Sequence, residues 1–163
     1  MKFAKFLILI PFFSSLALGM NFPQDWRGTW SGRMVPSDGG KSYEMELEIK
    51  EKAGSRAYHW RIQYSGQEIR DYLLISDPKK PGHFVIDEQN GIQLLGHFAG
   101  DTFRTFFYVG GQLIDMNYRL ENERIRVDIV SFDSTDFKDT KSGQHQVRSY
   151  RLSSTSSAIL TQD

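Results

Sequence analysis

The sequence contains no cysteine among its 163 residues. This absence excludes a disulfide scaffold, a cysteine nucleophile and any thiolate metal site. Basic and acidic residues are balanced at 20 each and form no basic cluster, so we predict no nucleic-acid partner. After residue 19, no apolar run is long enough to span a membrane as a helix. Aromatic residues, in contrast, make up 13% of the chain, which indicates a compact domain rather than a disordered segment.

The first 19 residues have the three-part pattern of a secretory signal peptide. Lys2 and Lys5 precede an apolar run, and the small residues Ala17 and Gly19 occupy the −3 and −1 positions of a cleavage site after Gly19. Cleavage leaves 18 basic and 20 acidic residues, a net charge of −2. Met20 stands where a bacterial lipoprotein has its acylated cysteine, so we predict no lipid anchor. An exported domain without disulfides is typical of the bacterial periplasm, where we place the protein.

Apolar and polar residues alternate with a period of two in almost every segment after residue 26, which predicts half-buried β-strands. In the clearest segment, Tyr43, Met45, Leu47 and Ile49 share one face, and charged residues occupy the other. Turn-forming pairs separate the segments: Ser65-Gly66, Asn90-Gly91, Gly100-Asp101, Gly110-Gly111 and Glu121-Asn122. We predict ten strands, at residues 27–36, 43–52, 57–65, 68–76, 83–88, 92–98, 102–109, 112–120, 123–132 and 144–153.

This hairpin order predicts an all-β fold, an antiparallel up-and-down β-barrel of about 8–10 strands. Closure into a barrel removes the exposed edges that an open sheet of this order would leave. We predict one domain over residues 20–152, with a polar loop at residues 133–143 inside it. Residues 153–163 are rich in Ser and Thr, and we predict that they form a flexible C-terminal tail.

The start of the predicted mature chain reads Asp25-Trp26-Arg27-Gly28-Thr29-Trp30-Ser31-Gly32. A Gly-x-Trp at the first strand of such a meander resembles the calycin group, which includes lipocalins, fatty-acid-binding proteins and nitrobindin-like bacterial barrels. The resemblance implies that Trp30, between Gly28 and Gly32, closes one barrel end, and that Arg148 or Arg151 of the last strand packs across it. Met34 stands where the nitrobindin pattern has a glycine, and we predict no haem or other cofactor.

Aromatic and methionine residues recur on the apolar faces of the predicted strands. In a barrel of this size they either fill the interior or line a cavity for one small ligand. The candidate ligand-binding residues are Tyr43, Met45, Leu47, Trp60, Ile62, Tyr64, Asp71, Phe107, Ile114, Met116 and Tyr118. Asp71 belongs to this set because it shares a strand face with Ile69, Leu73 and Ile75, and a carboxylate there needs a partner such as Arg148 or Arg151.

The histidines and the aspartates of the predicted loop do not have the spacing of a metal site. His59, His83, His97 and His145 occur one to a strand or strand end, whereas zinc needs three or four converging ligands. Asp133, Asp136 and Asp139 do not follow the spacing of a calcium loop. We therefore predict no metal site and no catalytic residue.

Together these patterns lead us to expect an exported lipocalin-like protein that binds a small, mainly apolar or amphipathic molecule. One alternative is a calycin-type isomerase or lyase that uses a carboxylate in the cavity, with Asp71 as the candidate. Another is a filled barrel without a small-molecule ligand, which acts in the cell envelope through its surface. Fold alone does not separate a carrier from an enzyme.

Overall fold

The computed structural model describes residues 21–163, so the predicted signal peptide lies outside the described residues. A short 3₁₀ turn, Gln24–Trp26, precedes ten β-strands. The strands are β1 (Gly28–Pro36), β2 (Tyr43–Glu51), β3 (Tyr58–Tyr64), β4 (Arg70–Ser76), β5 (His83–Asp87), β6 (Gln93–Ala99), β7 (Thr102–Val109), β8 (Gln112–Glu121), β9 (Arg124–Ser142) and β10 (His145–Gln162).

The strands form a closed antiparallel barrel in which each strand pairs with its neighbours in sequence and β10 pairs with β1. The prediction of an all-β, up-and-down barrel is therefore confirmed, with ten strands. The predicted turn pairs lie between successive strands, where Gly66, Gly91 and Gly100 adopt positive φ angles. Such angles are open to glycine at little steric cost.

The end of the chain differs from the prediction, because residues 153–163 do not form a tail. β10 runs to Gln162, and its last residues pair with β9 on one side and with β1 on the other. Ala158 and Leu160 are buried inside the barrel. The Ser and Thr residues that precede them in β10 are exposed or only partly buried, so a polar composition is compatible with the strand that closes the barrel.

The predicted polar loop at residues 133–143 is also strand. β9 pairs with β8 only as far as Asp133, and β10 pairs with β1 only from Ser156 onwards. Beyond these points the two strands continue as a two-stranded ribbon, which we define as residues 134–153. Its regular part contains six residue pairs, from Phe137 with Tyr150 to Ser142 with His145. At about 3.3 Å per residue, this part extends roughly 20 Å beyond the barrel.

The core of the barrel is apolar and close-packed, and two glycines are part of that packing. A side chain at Gly96 in β6 would collide with the buried ring of Phe103 in β7. A side chain at Gly32 in β1 would collide with the backbone oxygen of Ile159 in β10, across the seam that closes the barrel. Both positions therefore need a residue without a Cβ atom.

Candidate functional site

Ten of the eleven predicted ligand-binding residues point into the barrel, because directly paired residues on neighbouring strands share a face. They are Tyr43, Met45, Leu47, Trp60, Ile62, Tyr64, Phe107, Ile114, Met116 and Tyr118. The structure brings them together in one interior. Their burial is uneven, however, and this divides the interior into two halves.

One half is filled by aromatic rings, and we call it the plug. Phe22 lies at its centre, with ring centroids 4.5 Å from Phe98 and 4.8 Å from Phe103. Trp26 and Trp60 also contact Phe22, and both are fully buried. The segment before β1 thus closes this end of the barrel with side chains packed at the density of a protein core.

Trp30 belongs to the plug, but not through the contact that the family resemblance implies. Its indole nitrogen donates a hydrogen bond to the backbone oxygen of Trp26, at 2.9 Å. The residue of β10 in register with Trp30 is Gln162. Arg148 and Arg151 lie on the exposed ribbon and pair with Asp139 and Asp136 at 2.7 and 2.5 Å. The prediction that one of them packs on Trp30 is therefore wrong, because β10 extends further than the sequence pattern indicated.

The other half of the interior is open, and we call it the cup. Met116 in β8 and Ile129 in β9 are paired directly and lie near the middle of the part where these strands pair with each other, yet both are only partly buried. A side chain that points into a closed barrel reaches solvent only through one end, and the plug fills the other end. The cup is lined by Tyr43, Tyr64, Arg70, Tyr72, Thr105, Met116, Tyr118 and Ile129.

Tyrosine hydroxyls are the main polar groups of the cup. Burial raises the pKa of Tyr64 to about 12 and raises that of Tyr118 well above its usual value. Burial also raises the pKa of Tyr72. At neutral pH all three are therefore neutral phenols that are able to donate a hydrogen bond. The rings of Tyr43 and Tyr64 are in edge contact, with centroids 5.5 Å apart.

Two further polar groups face the cup. Arg70 pairs in register with Ile62, which is 5% exposed and points inwards, so the two share a face, but Arg70 is itself exposed and therefore lies at the rim of the cup. The guanidinium carbon of Arg70 lies 5.3 Å from the ring centroid of Tyr64. The hydroxyl of Thr105 is buried and has no hydrogen-bond partner. A buried hydroxyl without a partner costs free energy, unless a water molecule or a ligand satisfies it.

Asp71 lies outside the cup, so its prediction as a ligand-binding residue is wrong. It is on the outer wall, where its carboxylate accepts hydrogen bonds from His59 at 3.0 Å and from Arg61 at 3.1 Å. Arg61 also donates to Glu48 at 3.1 Å. Although burial acts to raise the pKa of Asp71, the hydrogen bonds from Arg61 and His59 lower it. Asp71 is thus part of a cross-strand ionic network.

Sequence reasoning missed Arg70, Tyr72 and Thr105, although a signal for each was present. Arg70 and Tyr72 alternate with Leu74 along β4, and Thr105 alternates with Phe103 and Phe107 along β7. Strand parity alone therefore places them with the apolar interior residues. For β4 the sequence favours the opposite face, because Ile69, Leu73 and Ile75 make that face the more apolar one.

The histidines form no metal centre with other ligands. His83 and His97 are paired across β5 and β6, with ring centroids 4.7 Å apart. Among residues 21–163, no group of three or more His, Asp or Glu side chains is arranged to hold a metal ion. Within the same residues, no helix has the length and apolar character that crossing a membrane requires.

The ribbon is a second candidate site. Phe137 and Tyr150 form a cross-strand pair on it, with ring centroids 6.1 Å apart, and both are exposed. Arg148 lies over the ring of Phe137, with its guanidinium carbon 3.9 Å from the centroid. Val147 and Leu152 are 57% and 53% exposed. Four apolar side chains on a ribbon without a core of its own are typical of a contact surface.

Five surface clefts of about 130 to 590 Å³ lie along the ribbon, the plug rim and the outer wall. The cup, in contrast, is lined by inward-facing side chains of which some, such as Met116 and Ile129, remain partly exposed while others, such as Tyr118, are buried. No protein-family model, curated protein or solved structure matches the chain. The closed antiparallel barrel of ten strands is compatible with a calycin-like fold.

Proposed function

We propose that the protein is an exported, calycin-like carrier that binds a small, mainly apolar molecule in the cup. The observation that supports this proposal is the partial exposure of Met116 and Ile129, which point inwards from near the middle of the paired part of β8 and β9. An interior that is closed by aromatic rings at one end and solvated at the other offers an apolar molecule one way in. Fatty or aromatic groups fit such a lining.

The binding energy comes mainly from burial of apolar surface, at about 25 cal/mol per Å². Met116 is suited to this role because an unbranched thioether changes rotamer easily and adapts to the shape of a ligand. Tyr43 and Tyr72, also partly buried, lie on the strand faces that point into the same space. The plug takes no part in binding, since Trp26, Trp60 and Phe103 are fully buried and in contact with one another or with Phe22.

The enzyme alternative receives no support from the position of Asp71. That hypothesis needs an acid or base inside the cavity, within reach of a bound substrate. Asp71 faces outwards and is held by Arg61 and His59. The residue on which the alternative depended is therefore outside the cup.

A second candidate function is a contact with another macromolecule through the ribbon. It is favoured by the exposed Phe137, Val147, Tyr150 and Leu152, which the barrel does not need for its core. This corresponds to the alternative of a barrel that acts through its surface. It does not exclude a ligand in the cup.

Native mass spectrometry tests the carrier proposal on mature protein purified without detergent from the periplasm of the cell that makes it. We expect an additional mass that disappears on denaturation. The matched variants are Ser131→Trp, which adds a ring on the inner face of β9 two residues from Ile129, and Val130→Trp, which adds the same ring to the outer wall. Ser131→Trp should reduce the retained mass several-fold, and Val130→Trp should not.

A clean apo mass for the parent protein under gentle conditions would contradict the carrier proposal. Equal retention by Ser131→Trp and the parent would also contradict it, because the bound molecule would then lie elsewhere. In either case, the ribbon would remain as the candidate site that the geometry favours.

A further inference from the structure

The outer wall of the barrel is polar on one side and apolar on the other. On β2 and β3 the outward residues, such as Glu46 and Arg61, are polar. On β7, in contrast, the outward residues Phe106 and Tyr108 are 56% and 63% exposed. They alternate with inward residues such as Thr105, which is buried. The core of the barrel therefore makes no use of these two rings.

Cross-strand pairing extends Tyr108 into an apolar row that crosses four strands. Tyr108 in β7 pairs with Leu113 in β8. Leu113 pairs with Phe132 in β9, which in turn pairs with Leu152 in β10. Leu152 is 53% exposed, and Leu113 and Phe132 are partly buried. Directly paired residues share a face of the sheet, so the four side chains form one continuous row.

A second row lies nearer the plug and contains Leu95, Phe106 and Val130. Phe106 in β7 and Val130 in β9 both pair with Asp115 in β8. Leu95, on the outer face of the neighbouring strand β6, is 75% exposed. We define the outer patch as the apolar side chains of these two rows.

The outer patch is large for a surface that contacts only water. At these exposures its seven apolar side chains present on the order of 600 Å². Contiguous apolar patches on monomeric proteins rarely exceed roughly a few hundred Å², whereas a standard interface buries roughly 800 Å² on each partner. The outer patch thus supplies most of the area that a stable contact requires.

The charged side chains within and beside the outer patch are neutralised by partners in the same chain. Arg104 donates to both carboxylate oxygens of Asp115, one of them at 2.7 Å, and the side chain of Asp115 is only 13% exposed. Arg126 donates to both oxygens of Asp128, at 2.8 and 3.0 Å. A patch flanked by such pairs has no excess charge of either sign, so it does not select a charged partner and does not repel a copy of itself.

The sequence around the outer patch has the composition of a protein interface. No lysine occurs between Lys80 and Lys138, a stretch that includes six of the seven residues of the outer patch. Aromatic residues and arginine are enriched at protein interfaces, and lysine is depleted there. Attachment to an anionic bilayer, in contrast, depends on clustered basic residues. The outer patch therefore fits a protein surface that is itself apolar and neutral.

We propose that the outer patch is the interface of a two-fold symmetric dimer of this chain. In such a dimer the same surface supplies both sides of the contact, so each side meets an apolar and neutral partner. The two outer sheet faces then pack against each other as the sheets of a β-sandwich do. Tyr108 lies next to the β7–β8 turn, at the margin of the outer patch, where its hydroxyl suits the polar rim of an interface. The inference goes beyond the carrier function, because the outer patch contains no residue of the cup.

Sedimentation velocity of the mature protein over a range of concentrations tests the inference. We expect a reversible dimer that persists at high salt, because an apolar contact is not screened by ions. Phe106→Lys and Leu95→Lys should each raise the dissociation constant of the dimer at least tenfold, since each places an unpaired charge on both sides of the contact. Both side chains point away from the core, so both variants should keep the near-ultraviolet circular dichroism of the folded barrel. If one of the two variants does not fold, the other provides the test.

Ile69→Lys is the matched control, because it adds the same charge at an apolar residue that is 58% exposed. Ile69 directly precedes β4, which lies opposite β9 in the ring of strands. This variant should dimerise as the parent does.

A parent protein that stays monomeric at every concentration would overturn the inference. If that monomer co-sediments with phosphatidylcholine vesicles and Phe106→Lys does not, the outer patch contacts a bilayer instead. A dimer that resists both Phe106→Lys and Leu95→Lys would also overturn the inference, since the contact would then lie elsewhere. An equal loss of dimer in Ile69→Lys would do the same, because the effect would not depend on the outer patch. None of these results bears on the ligand in the cup, which native mass spectrometry tests separately.

Discussion

Tyr64 shows how burial of a single residue of the cup affects the stability of the fold. It is 9% exposed, and its ring contacts Tyr43 on one side while the guanidinium of Arg70 lies over it. Its phenol is held away from water, which disfavours the charged phenolate. The same burial that keeps the hydroxyl protonated at neutral pH therefore makes the fold sensitive to alkali.

The pKa of Tyr64 predicts a loss of stability at high pH that is specific to this side chain. In the unfolded chain the phenol ionises near its ordinary pKa of 10, whereas burial raises its pKa to about 12 in the fold. Stability is complete below the lower value and falls as pH rises toward the higher one, because ionisation then favours the unfolded state. We expect the parent to lose about 2 kcal/mol more than Tyr64→Phe between about pH 9 and about pH 11.5.

Urea unfolding at several pH values in this range measures that difference. The comparison concerns how the free energy of unfolding changes with pH in each protein, so any effect of the substitution that does not depend on pH cancels. Tyr108→Phe is the matched control, since Tyr108 is 63% exposed on the outer wall. Parallel pH profiles for the parent and Tyr64→Phe would show that the hydroxyl of Tyr64 is solvated and not buried.

The alternation of residues along each strand predicts most interior residues from the sequence. The wrong choice of the buried face in β4 has a physical cause. β2 and β3 carry polar residues on their outer face, so the alternation correctly assigns Met45, Leu47 and Trp60 to the interior. β4 is apolar on both faces, with Tyr72 and Leu74 inside and Leu73 and Ile75 outside. When both faces are apolar, alternation fixes which residues share a face but not which face is buried.

Among the structural elements, the ribbon is the one that the barrel does not require. Its regular part lies beyond the last pairs with β8 and β1, and its side chains are exposed. Ion pairs such as Arg148 with Asp139 connect its two strands. Pairs exposed in this way contribute little to stability, typically less than about 1 kcal/mol.

Removal of the outer ribbon should therefore leave the barrel folded. In the variant, an Asn-Gly pair replaces residues 138–149 and joins Phe137 to Tyr150 through a two-residue turn, which suits that register. We expect the free energy of unfolding in urea to change by less than about 1 kcal/mol, because the deleted residues bury almost no apolar surface. A large loss of stability would show that the ribbon packs against the barrel in solution.

The sequence predicted the first eight strands to within two residues at each end, but not the length of the last two. Residues 133–143 are mostly Asp, Lys, Ser and Thr, a composition in which strand propensity is weak apart from Thr and Phe137. Their partners in β10 include residues that favour strands, such as Val147 and Tyr150. The sequence does not show that these residues pair with residues 137–142, and only the structure reveals it. Residues 137–142 therefore form a strand because they pair with residues 145–150 of β10, although their own strand propensity is weak.

In the whole molecule, closure depends on the pairing of β1 with β10. The two strands come from opposite ends of the described chain, and their register runs from Trp30 with Gln162 to Pro36 with Ser156. Gly32 allows the close approach to Ile159, and Ala158 and Leu160 bring apolar side chains into the core. Every other strand pair joins sequence neighbours, so this seam is the only contact in the described barrel that converts a curved sheet into a closed one.

Truncation of the chain after Thr155 tests this dependence directly. The deletion removes eight residues that sequence composition assigns to a tail, but it leaves β1 and β9 with exposed edges and removes Ala158 and Leu160 from the core. We expect the truncated protein to lose its cooperative urea transition and its near-ultraviolet circular dichroism, since a sheet open at the seam exposes the plug to water.

The outer-ribbon deletion is the control, because it removes more residues, from β9 and β10, without touching the seam. If the truncated protein unfolds cooperatively with the stability of the parent, then residues 156–163 do not close the barrel. If it fails while the ribbon deletion folds, then the structural role of these strands resides in the seam, and the ribbon is free for contacts outside the molecule.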